Sequence, residues 1–166
     1  MCQIPRVVRD LHTEEKFFFK AGDKRHGFRR EVEILAKLKR ISEHDPELRT
    51  SRIVGLVNWD GQESVLMGML LENIEGITLH KAIMDASIDE KRKWMDQIEA
   101  TVKSLHGYGI VWGDVKPDNV MIDSSGDAIL IDFGGGGTLE YVDLEHHETK
   151  EGDLQGLKRL RSNFIC

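Results

Sequence analysis

The feature that most constrains this chain of 166 residues is a pair of short apolar runs, residues 119–122 and 128–131, with a polar residue at one end of each. Residues 124–127, Ser-Ser-Gly-Asp, are turn formers, so the pair predicts an antiparallel hairpin. In such a hairpin the first residue of one strand lies opposite the last residue of the other. The sequence therefore predicts that Asn119 and Asp132 meet at one edge of the hairpin.

The polar residues around this hairpin are suited to phosphoryl transfer. An amide oxygen from Asn119 and a carboxylate from Asp132 are ligands for a hard divalent cation such as Mg²⁺. On the preceding loop, Asp114 is placed to accept a proton or to orient a hydroxyl nucleophile. Lys116 is placed to neutralise charge on a transferring phosphoryl group. These four residues together predict a site for metal-assisted phosphoryl transfer.

Composition argues against several other functions. A formal net charge of -6 makes non-specific nucleic-acid binding unexpected. No apolar run approaches the length of a membrane span, and the first ten residues are not built like a signal peptide, so we expect a cytoplasmic or nuclear protein with no membrane partner. Cys2 and Cys166 form neither a disulfide framework nor a zinc motif.

Hydrophobic periodicity predicts an α+β order of elements. Strands are expected in the first half at residues 15–20, 52–59 and 64–72, with a helix at residues 27–41 and a turn at Asp60-Gly61. Helices are expected in the second half at residues 78–85 and 89–106, and a last one begins near residue 152. Asp89 is the expected N-terminal cap of the long helix.

Two motifs of the second half resemble those of the protein kinase superfamily. "GDVKPDNVMID" is similar to the kinase catalytic loop, and "LIDFGG" is similar to its magnesium-binding Asp-Phe-Gly segment. The resemblance implies that Asp114 is the catalytic aspartate and that Lys116 contacts phosphate. It also implies that Asn119 and Asp132 are the metal ligands. The sequence of this half also resembles short kinase-like proteins of filamentous fungi.

Further matches to the kinase superfamily follow in the same chain order. Lys20 resembles the lysine that holds the α- and β-phosphates of ATP, and Glu31 resembles its helical glutamate partner. "LLENIEG" resembles the hinge, where the backbone between Glu72 and Ile74 is expected to face adenine. Met121 is expected beneath the adenine ring. The resemblance thus implies ATP and Mg²⁺ as cofactors.

Some of these assignments leave alternatives open. Leu71 falls in the gatekeeper position of the hinge resemblance. Lys16 or Lys24 is an alternative to Lys20, and Glu33 is an alternative to Glu31. A glutamate in a helix is often only solvated, so its presence alone does not identify the partner of the lysine. The position of this ion pair is therefore an expectation that needs a structure.

The kinase resemblance also implies a structural framework. Asp153 in "EGDLQGL" resembles the aspartate that braces the catalytic loop from the following helix. One apolar column is expected to link the two lobes, formed by Leu35, Leu56, Trp112 and Phe133.

The first half departs from the kinase pattern in two ways. Residues 1–19 contain no glycine, so the backbone donors that cover the β- and γ-phosphates are expected to be missing or supplied in another way. Phe18 stands where the family has a small residue, and strand alternation places it on the same face as Lys20. Its ring is then expected in the adenine space, unless a register shift turns Phe17 or Phe19 inward.

The second half departs as well. The usual His-Arg-Asp is replaced by Trp112-Gly113-Asp114, so activation by phosphorylation of the following segment is not expected. Residues 132–153 are short and contain no Ala-Pro-Glu motif, so the usual platform for a peptide substrate is not expected. The last helix should be exposed on one side. Thr138, Tyr141 and Thr149 are candidate phosphorylation sites by position only.

The sequence as a whole predicts one kinase-like domain of the α+β class. Residues 1–74 are expected to form an abbreviated N-terminal lobe and residues 75–166 a truncated C-terminal lobe. The expected function is an ATP- and Mg²⁺-dependent phosphotransferase of the Ser/Thr kinase type, with a protein or small molecule as hydroxyl acceptor. The alternatives are a pseudokinase that acts as a binding or regulatory module, a small-molecule kinase, and a fragment of a longer protein.

Overall fold

A computed structural model describes residues 6–22, 26–59 and 62–165 of the chain. The strands are β1 Val7–Arg9, β2 Lys16–Ala21, β3 Ile53–Trp59, β4 Gln62–Glu72, β5 Gly76–Thr78, β6 Val120–Asp123 and β7 Ala128–Leu130. The helices are α1 His26–Ile41, α2 Leu79–Ala82, α3 Ile88–Gly107 and α4 Lys150–Phe164. The strands form two antiparallel sheets, one in the order β1-β2-β4-β3 and the other in the order β5-β6-β7. The α+β fold class is confirmed.

Helix α1 packs its apolar stripe against the core, as its periodicity predicts. Leu35 and Leu38 are buried, and Phe28 and Val32 pack against the same cluster. The last turn of the helix contains the basic residues Lys39 and Arg40, whose positive charges interact favourably with the negative end of the helix dipole. The stripe thus fixes which face of α1, including Glu31, points into the molecule.

The larger sheet confirms the three predicted strands of the first half and adds β1, whose three residues are too short for a periodic signal. Strand β2 lies between β1 and β4, with Phe18 opposite Leu71 and Lys20 opposite Met69. This register places Phe18 and Lys20 on one face of β2. The turn expected at Asp60-Gly61 lies outside the described residues.

The predicted apolar column is wrong at Leu56. Leu35, Trp112 and Phe133 are fully buried, but Leu56 is 51% exposed. Strand β3 lies at the edge of the sheet, and its pairing with β4 is irregular on both sides of Leu56. Such irregularities redirect side chains between the two faces of a sheet. Ile53 is the buried residue that β3 contributes.

The helices that follow the larger sheet differ in detail from their predicted extents. The short helix covers only Leu79–Ala82, because strand β5 occupies the residues before it. Helix α3 is confirmed, but its cap is Ser87 and not Asp89. The Ser87 hydroxyl accepts a hydrogen bond from the Glu90 backbone N–H, and the Glu90 side chain accepts one from the Ser87 backbone N–H. This reciprocal pair is a capping box, which fixes the first turn.

The hairpin that dominates the sequence is present as β6 and β7. Val120 pairs with Leu130, and the Ile131 N–H donates to the Asn119 carbonyl at 3.0 Å. The predicted opposition of the two strand ends is therefore confirmed. A further hydrogen bond closes the turn, from the Asp123 N–H to the Asp127 carbonyl at 3.0 Å.

Within the described residues, the backbone connects the two sheets at two places. Residues 73–75 join β4 to β5 through the backbone. The segment before β3 crosses to the smaller sheet, where Leu130 donates to the Arg49 carbonyl at 3.0 Å and Ser51 donates to the Leu130 carbonyl at 2.8 Å. Thr50 forms an isolated parallel bridge with Leu130. The division into residues 1–74 and 75–166 stays a prediction.

Helix α4 begins at Lys150, two residues before the start that the sequence predicts. Thr149 caps it by accepting a hydrogen bond from the Gly152 N–H at 3.0 Å. Leu157 and Leu160 are buried, whereas Leu154 is exposed, which agrees with the expectation of one open side. Among the helices of the described ranges, none is long and apolar enough to cross a membrane.

Candidate active site

The polar loop before β6 holds Asn119 in a fixed orientation. Asn119 ends a 3-10 turn, Pro117–Asn119, whose first residue is a proline that needs no hydrogen-bond partner for its nitrogen. The Asn119 Nδ2 donates to the Asp114 carbonyl oxygen at 3.0 Å and to Asp114 Oδ2 at 2.9 Å. Both hydrogen bonds use the amide nitrogen, so the amide oxygen is available as a ligand.

The Asp114 carboxylate is buried and receives three side-chain donors. Lys116 Nζ lies 2.5 Å from Oδ2, and Asn119 Nδ2 donates to the same oxygen. Thr138 Oγ1 donates to the other oxygen, Oδ1, at 3.2 Å. The carboxylate thus has a hydroxyl donor on Oδ1 and an ammonium and an amide donor on Oδ2.

A second charged cluster joins the larger sheet, α1 and the segment after β7. Lys20 Nζ lies 2.6 Å from Glu31 Oε2 and 3.1 Å from Asp132 Oδ1. Burial raises the pKa of Glu31, and the Lys20 ammonium offsets only part of this effect. For Lys20 burial acts to lower the pKa, but the two carboxylates outweigh it and the pKa is raised. Lys20 therefore stays charged at neutral pH.

Asp132 adopts a backbone conformation that is rare for residues other than glycine. Its φ is 58°, in the left-handed region, which aspartate tolerates better than most residues do. The Gly134 N–H donates to Asp132 Oδ1 at 3.3 Å, on the same oxygen that contacts Lys20. Residues held in such conformations concentrate at functional sites, because the surrounding structure must offset their cost.

A cavity of about 720 Å³ lies between the two sheets, a volume that suits a small-molecule cofactor. Its lining contains the residues expected around adenine, phosphate and metal: Lys20, Glu31, Leu71, Glu72, Asn73, Ile74, Asn119, Met121 and Asp132. Phe18 and Phe19 also line it, and Phe18 packs against the core. Asp114 and Lys116 lie outside this lining, next to Asn119.

The donor set of the cavity fits Mg²⁺ that is bound together with phosphate. Asn119 and Asp132 would supply one amide and one carboxylate oxygen. Within the described residues, no group of three or more His, Cys, Asp or Glu side chains could hold an ion by itself. Mg²⁺ commonly takes one or two protein oxygens and fills its other positions with water and substrate phosphates. The two residues match that pattern.

The loop before Asp114 is braced from α4 by Asp153, as the kinase resemblance implies. Its buried carboxylate accepts hydrogen bonds from the Trp112 N–H at 2.9 Å and the Gly113 N–H at 2.8 Å. His106 Nε2 lies 2.8 Å from the same carboxylate. One side chain thus fixes the two residues that precede Asp114.

The structure pairs Lys20 with Glu31, and the alternative residues have other partners. Lys16 lies 3.7 Å from Glu75, and Glu33 pairs with Arg29 at 3.0 Å on the surface of α1. Lys24 lies outside the described residues. The geometry therefore assembles the residues named first from the sequence.

Sequence reasoning missed two contributors to this region. Arg30 donates to the backbone carbonyls of Val111, Trp112 and Phe133, three acceptors distant in sequence from it. Its one sequence signal is the glycine at position 113, which leaves room in the catalytic loop. Thr138 was considered only as a phosphorylation site, although it contacts Asp114.

The fold and this cluster of residues define a protein of the kinase-like class. A family model of the protein kinase domain matches residues 9–150. The chain therefore belongs to the protein kinase family.

Several protein kinases are similar to the chain over part of its length. Sperm motility kinase Z of Mus musculus is 35% identical over 71 residues, which is 41% of this chain and 14% of that protein. CBL-interacting protein kinase 9 of Oryza sativa subsp. japonica is 27% identical over 78% of this chain and 28% of that protein. Serine/threonine-protein kinase PrkC of Bacillus subtilis is 26% identical over 80% of this chain and 21% of that protein. The chain thus spans less than a third of the length of these relatives.

Proposed function

We propose that the protein is an ATP- and Mg²⁺-dependent phosphotransferase of the Ser/Thr kinase type. The observation that carries this proposal is the contact of Lys20 Nζ with both Glu31 and Asp132, at 2.6 and 3.1 Å. It joins a phosphate-binding cation to a metal-binding carboxylate at the wall of a cofactor-sized cavity. The similarity to Ser/Thr protein kinases supports the same reaction.

The residues of the cavity divide the binding of ATP between them. Met121 and the backbone of residues 72–74, which line the cavity, would contact adenine, and Lys20 would hold the α- and β-phosphates. Asn119 and Asp132, which also line the cavity, would hold the metal ion. When bound, Mg²⁺ neutralises charge on the β- and γ-phosphates. The raised pKa of Lys20 favours the charged form that this role requires.

The transfer step uses the residues of the catalytic loop. The acceptor oxygen forms a bond to the γ-phosphorus, and the bond from that phosphorus to the oxygen bridging it to the β-phosphate breaks. Asp114 orients the acceptor hydroxyl and takes up its proton. Lys116, at 2.5 Å from Asp114, screens the developing negative charge on the transferred group. An acceptor hydroxyl would take the place of the Thr138 hydroxyl, which donates to Asp114 Oδ1.

A second candidate function is a pseudokinase, a binding or regulatory module that no longer transfers phosphate. The observation that favours it is Phe18, whose ring lines the cavity and packs against the core on the face of β2 that carries Lys20. A ring in this place competes with adenine for space. If the protein transfers phosphate, the hydroxyl group that accepts it belongs either to a protein or to a small molecule.

The test is a phosphotransfer assay with γ-labelled ATP and Mg²⁺ on a panel of Ser/Thr peptides and small alcohols. We expect Asp114→Ala and Asp132→Ala to lower the rate at least about a hundredfold, because each removes a group that acts on the transferring phosphoryl. Asp89→Ala is the matched control, since Asp89 is 90% exposed and does not line the cavity. Equal signals from all four proteins would overturn the proposal.

A further inference from the structure

We propose that Arg30 is a positioning residue that locks α1, the catalytic loop and the Asp-Phe-Gly segment into the arrangement for phosphotransfer. It takes the place of an arginine within the catalytic loop and makes phosphorylation of the following segment unnecessary. The inference rests on the proposed function, but the clamp itself is measurable without activity.

The guanidinium of Arg30 connects three backbone carbonyls in two separate segments. Its Nη2 donates to the Val111 carbonyl at 2.9 Å, and its Nη1 donates to the Trp112 carbonyl at 3.3 Å. Nη1 also donates to the carbonyl of Phe133, the residue after Asp132. The planar guanidinium carries donors that point in several fixed directions, so one side chain can serve all three acceptors.

Gly113 is the residue that makes room for this guanidinium. A β-carbon at position 113 would lie 2.9 Å from Arg30 Nη2 and 3.4 Å from Nη1, too close without a shift. Gly113 also has a φ of 89°, which residues with side chains rarely adopt. Position 113, where the kinase motif has arginine, is thus a glycine without a side chain. The guanidinium of Arg30 from α1 instead reaches the backbone of this loop.

Arg30 and Glu31 are neighbours on α1 and bind different parts of the molecule. Glu31 binds Lys20 of β2, while Arg30 binds the loop before Asp114 and the residue after Asp132. A shift of α1 would therefore break the carbonyl contacts and the ion pair together. Arg30 anchors α1 to backbone carbonyls of the catalytic loop and of Phe133. The Lys20–Glu31 pair is therefore held in place without an added phosphate group.

The segment after Phe133 is likewise held by a group of the chain itself. Glu148 Oε1 accepts a hydrogen bond from the Gly136 N–H at 3.0 Å. Gly135, Gly136 and Gly137 have φ values of 79°, 118° and 149°. A carboxylate thus orders this glycine segment without an added phosphate, which agrees with the replacement of the catalytic-loop arginine by Gly113.

The first experiment measures hydrogen–deuterium exchange of Arg30→Ala, Arg30→Lys and Arg29→Ala against the unmodified chain. Arg29 is the matched control, since it lies next to Arg30 and pairs with Glu33 on the exposed surface of α1. We expect Arg30→Ala to speed exchange in α1 and in residues 133–136 at least about tenfold, with α3 unchanged. Arg30→Lys should restore little, because a single ammonium cannot span both segments. Exchange that is equal in Arg30→Ala and Arg29→Ala would overturn the proposal.

The second experiment is a double-mutant cycle between Arg30→Ala and Gly113→Ala, read as the midpoint of urea unfolding. In the unmodified background the new methyl group meets the guanidinium, whereas in the Arg30→Ala background it does not. We therefore expect Gly113→Ala to lower the midpoint less in the second background. Equal shifts in both backgrounds would show that the two sites do not interact.

The third experiment measures phosphotransfer after phosphatase treatment, with intact mass used to verify that no phosphate remains. We expect the treated chain to keep its rate within about twofold and Arg30→Ala to lower kcat more than it changes KM. Loss of the rate on phosphatase treatment would overturn the claim of independence. If the chain transfers no phosphate at all, the proposed function fails, while the exchange experiment still decides whether Arg30 acts as the clamp.

Discussion

The ion pair between Lys20 and Glu31 joins a carboxylate that is almost fully buried to an ammonium that is 30% exposed. Burial raises the pKa of Glu31, so ionised Glu31 depends on Lys20 for compensation. The raised pKa of Lys20 means that its contribution to stability is complete below its ordinary value of 10.5. This contribution is lost only as the pH rises through the higher pKa of the folded state.

At this residue scale we predict that Lys20→Met destabilises the protein more at pH 8 than at pH 5. Without the ammonium the pKa of Glu31 rises further, whereas unfolded Glu31 still ionises near 4.5. The cost of ionised Glu31 therefore grows as the pH rises above that value. We expect a loss of about 1.5–3 kcal/mol at pH 8, as for a buried hydrogen bond to a charged group. Urea unfolding at the two pH values measures both losses.

Two variants serve as controls for this prediction. Lys16→Met removes a lysine from the same strand whose partner Glu75 is 3.7 Å away and exposed, so we expect a change below about 0.5 kcal/mol. Adding Glu31→Gln to Lys20→Met removes the buried charge, and the difference between pH 5 and pH 8 should then disappear. A loss from Lys20→Met that is the same at both pH values would contradict the prediction.

At the scale of secondary structure, the start of α3 depends on two neighbouring side chains. Glu90 Oε2 accepts hydrogen bonds from the Ser87 N–H at 2.8 Å and from its hydroxyl at 2.7 Å. The Ser87 hydroxyl and backbone N–H lower the pKa of Glu90, so its carboxylate stays ionised and keeps these contacts at neutral pH. The helix is anchored at this end because its first donors have partners.

We predict that Ser87→Ala destabilises the protein by about 1 kcal/mol, the usual cost of losing a helix cap. Asp89→Ala should cost less than about 0.5 kcal/mol, because Asp89 lies on the exposed first turn and makes one distant ion pair, 3.6 Å to Arg92. Differential scanning calorimetry of both variants measures the order. A larger loss of stability from Asp89→Ala than from Ser87→Ala would contradict the prediction and favour Asp89 as the helix cap.

The elements also show what the sequence could predict. The hairpin of β6 and β7 was predictable because Asn119 and Asp132 bracket two apolar runs at fixed spacing, and short-range spacing determines register. The Ser-x-x-Glu pattern at Ser87 was readable as a capping box but competed with Asp89, an equally good cap by residue type.

Two features were not predictable from local patterns. Leu56 faces solvent because of irregular pairing at an edge strand, which depends on the partner strand and leaves no mark on the periodicity of β3. The acceptors of Arg30 lie 81 to 103 residues further along the chain, so only the folded backbone reveals them. Contacts of this kind are set by tertiary packing.

At the scale of the whole molecule, the cavity between the sheets should couple nucleotide binding to stability. We predict that ATP with Mg²⁺ raises the Tm of the protein by roughly 5–10 °C at a hundredfold excess over Kd. Asp132→Ala should abolish most of this shift, because it removes the carboxylate that contacts Lys20 and is the proposed metal ligand. Differential scanning fluorimetry measures the shift.

Phe18→Ala distinguishes the two candidate functions in the same assay. A shift in the unmodified protein supports the phosphotransferase. Absence of that shift together with its appearance in Phe18→Ala would support a module whose adenine space is filled by the ring. Absence of a shift in both proteins would contradict nucleotide binding.

The two connections between the sheets restrict how the halves of the molecule can move. One is the covalent crossing at residues 73–75, and the other is the pair of hydrogen bonds that Leu130 makes with Arg49 and Ser51. Rotation about the axis through these two points leaves both connections intact, but a large rotation must break the contacts of Lys20 with Asp132 and of Arg30 with the carbonyls of residues 111, 112 and 133. Translation of one sheet past the other must break the Leu130 hydrogen bonds. On the proposed function, we therefore expect entry of nucleotide and release of product to change the angle between the two sheets, while the separation of the two crossings stays constant.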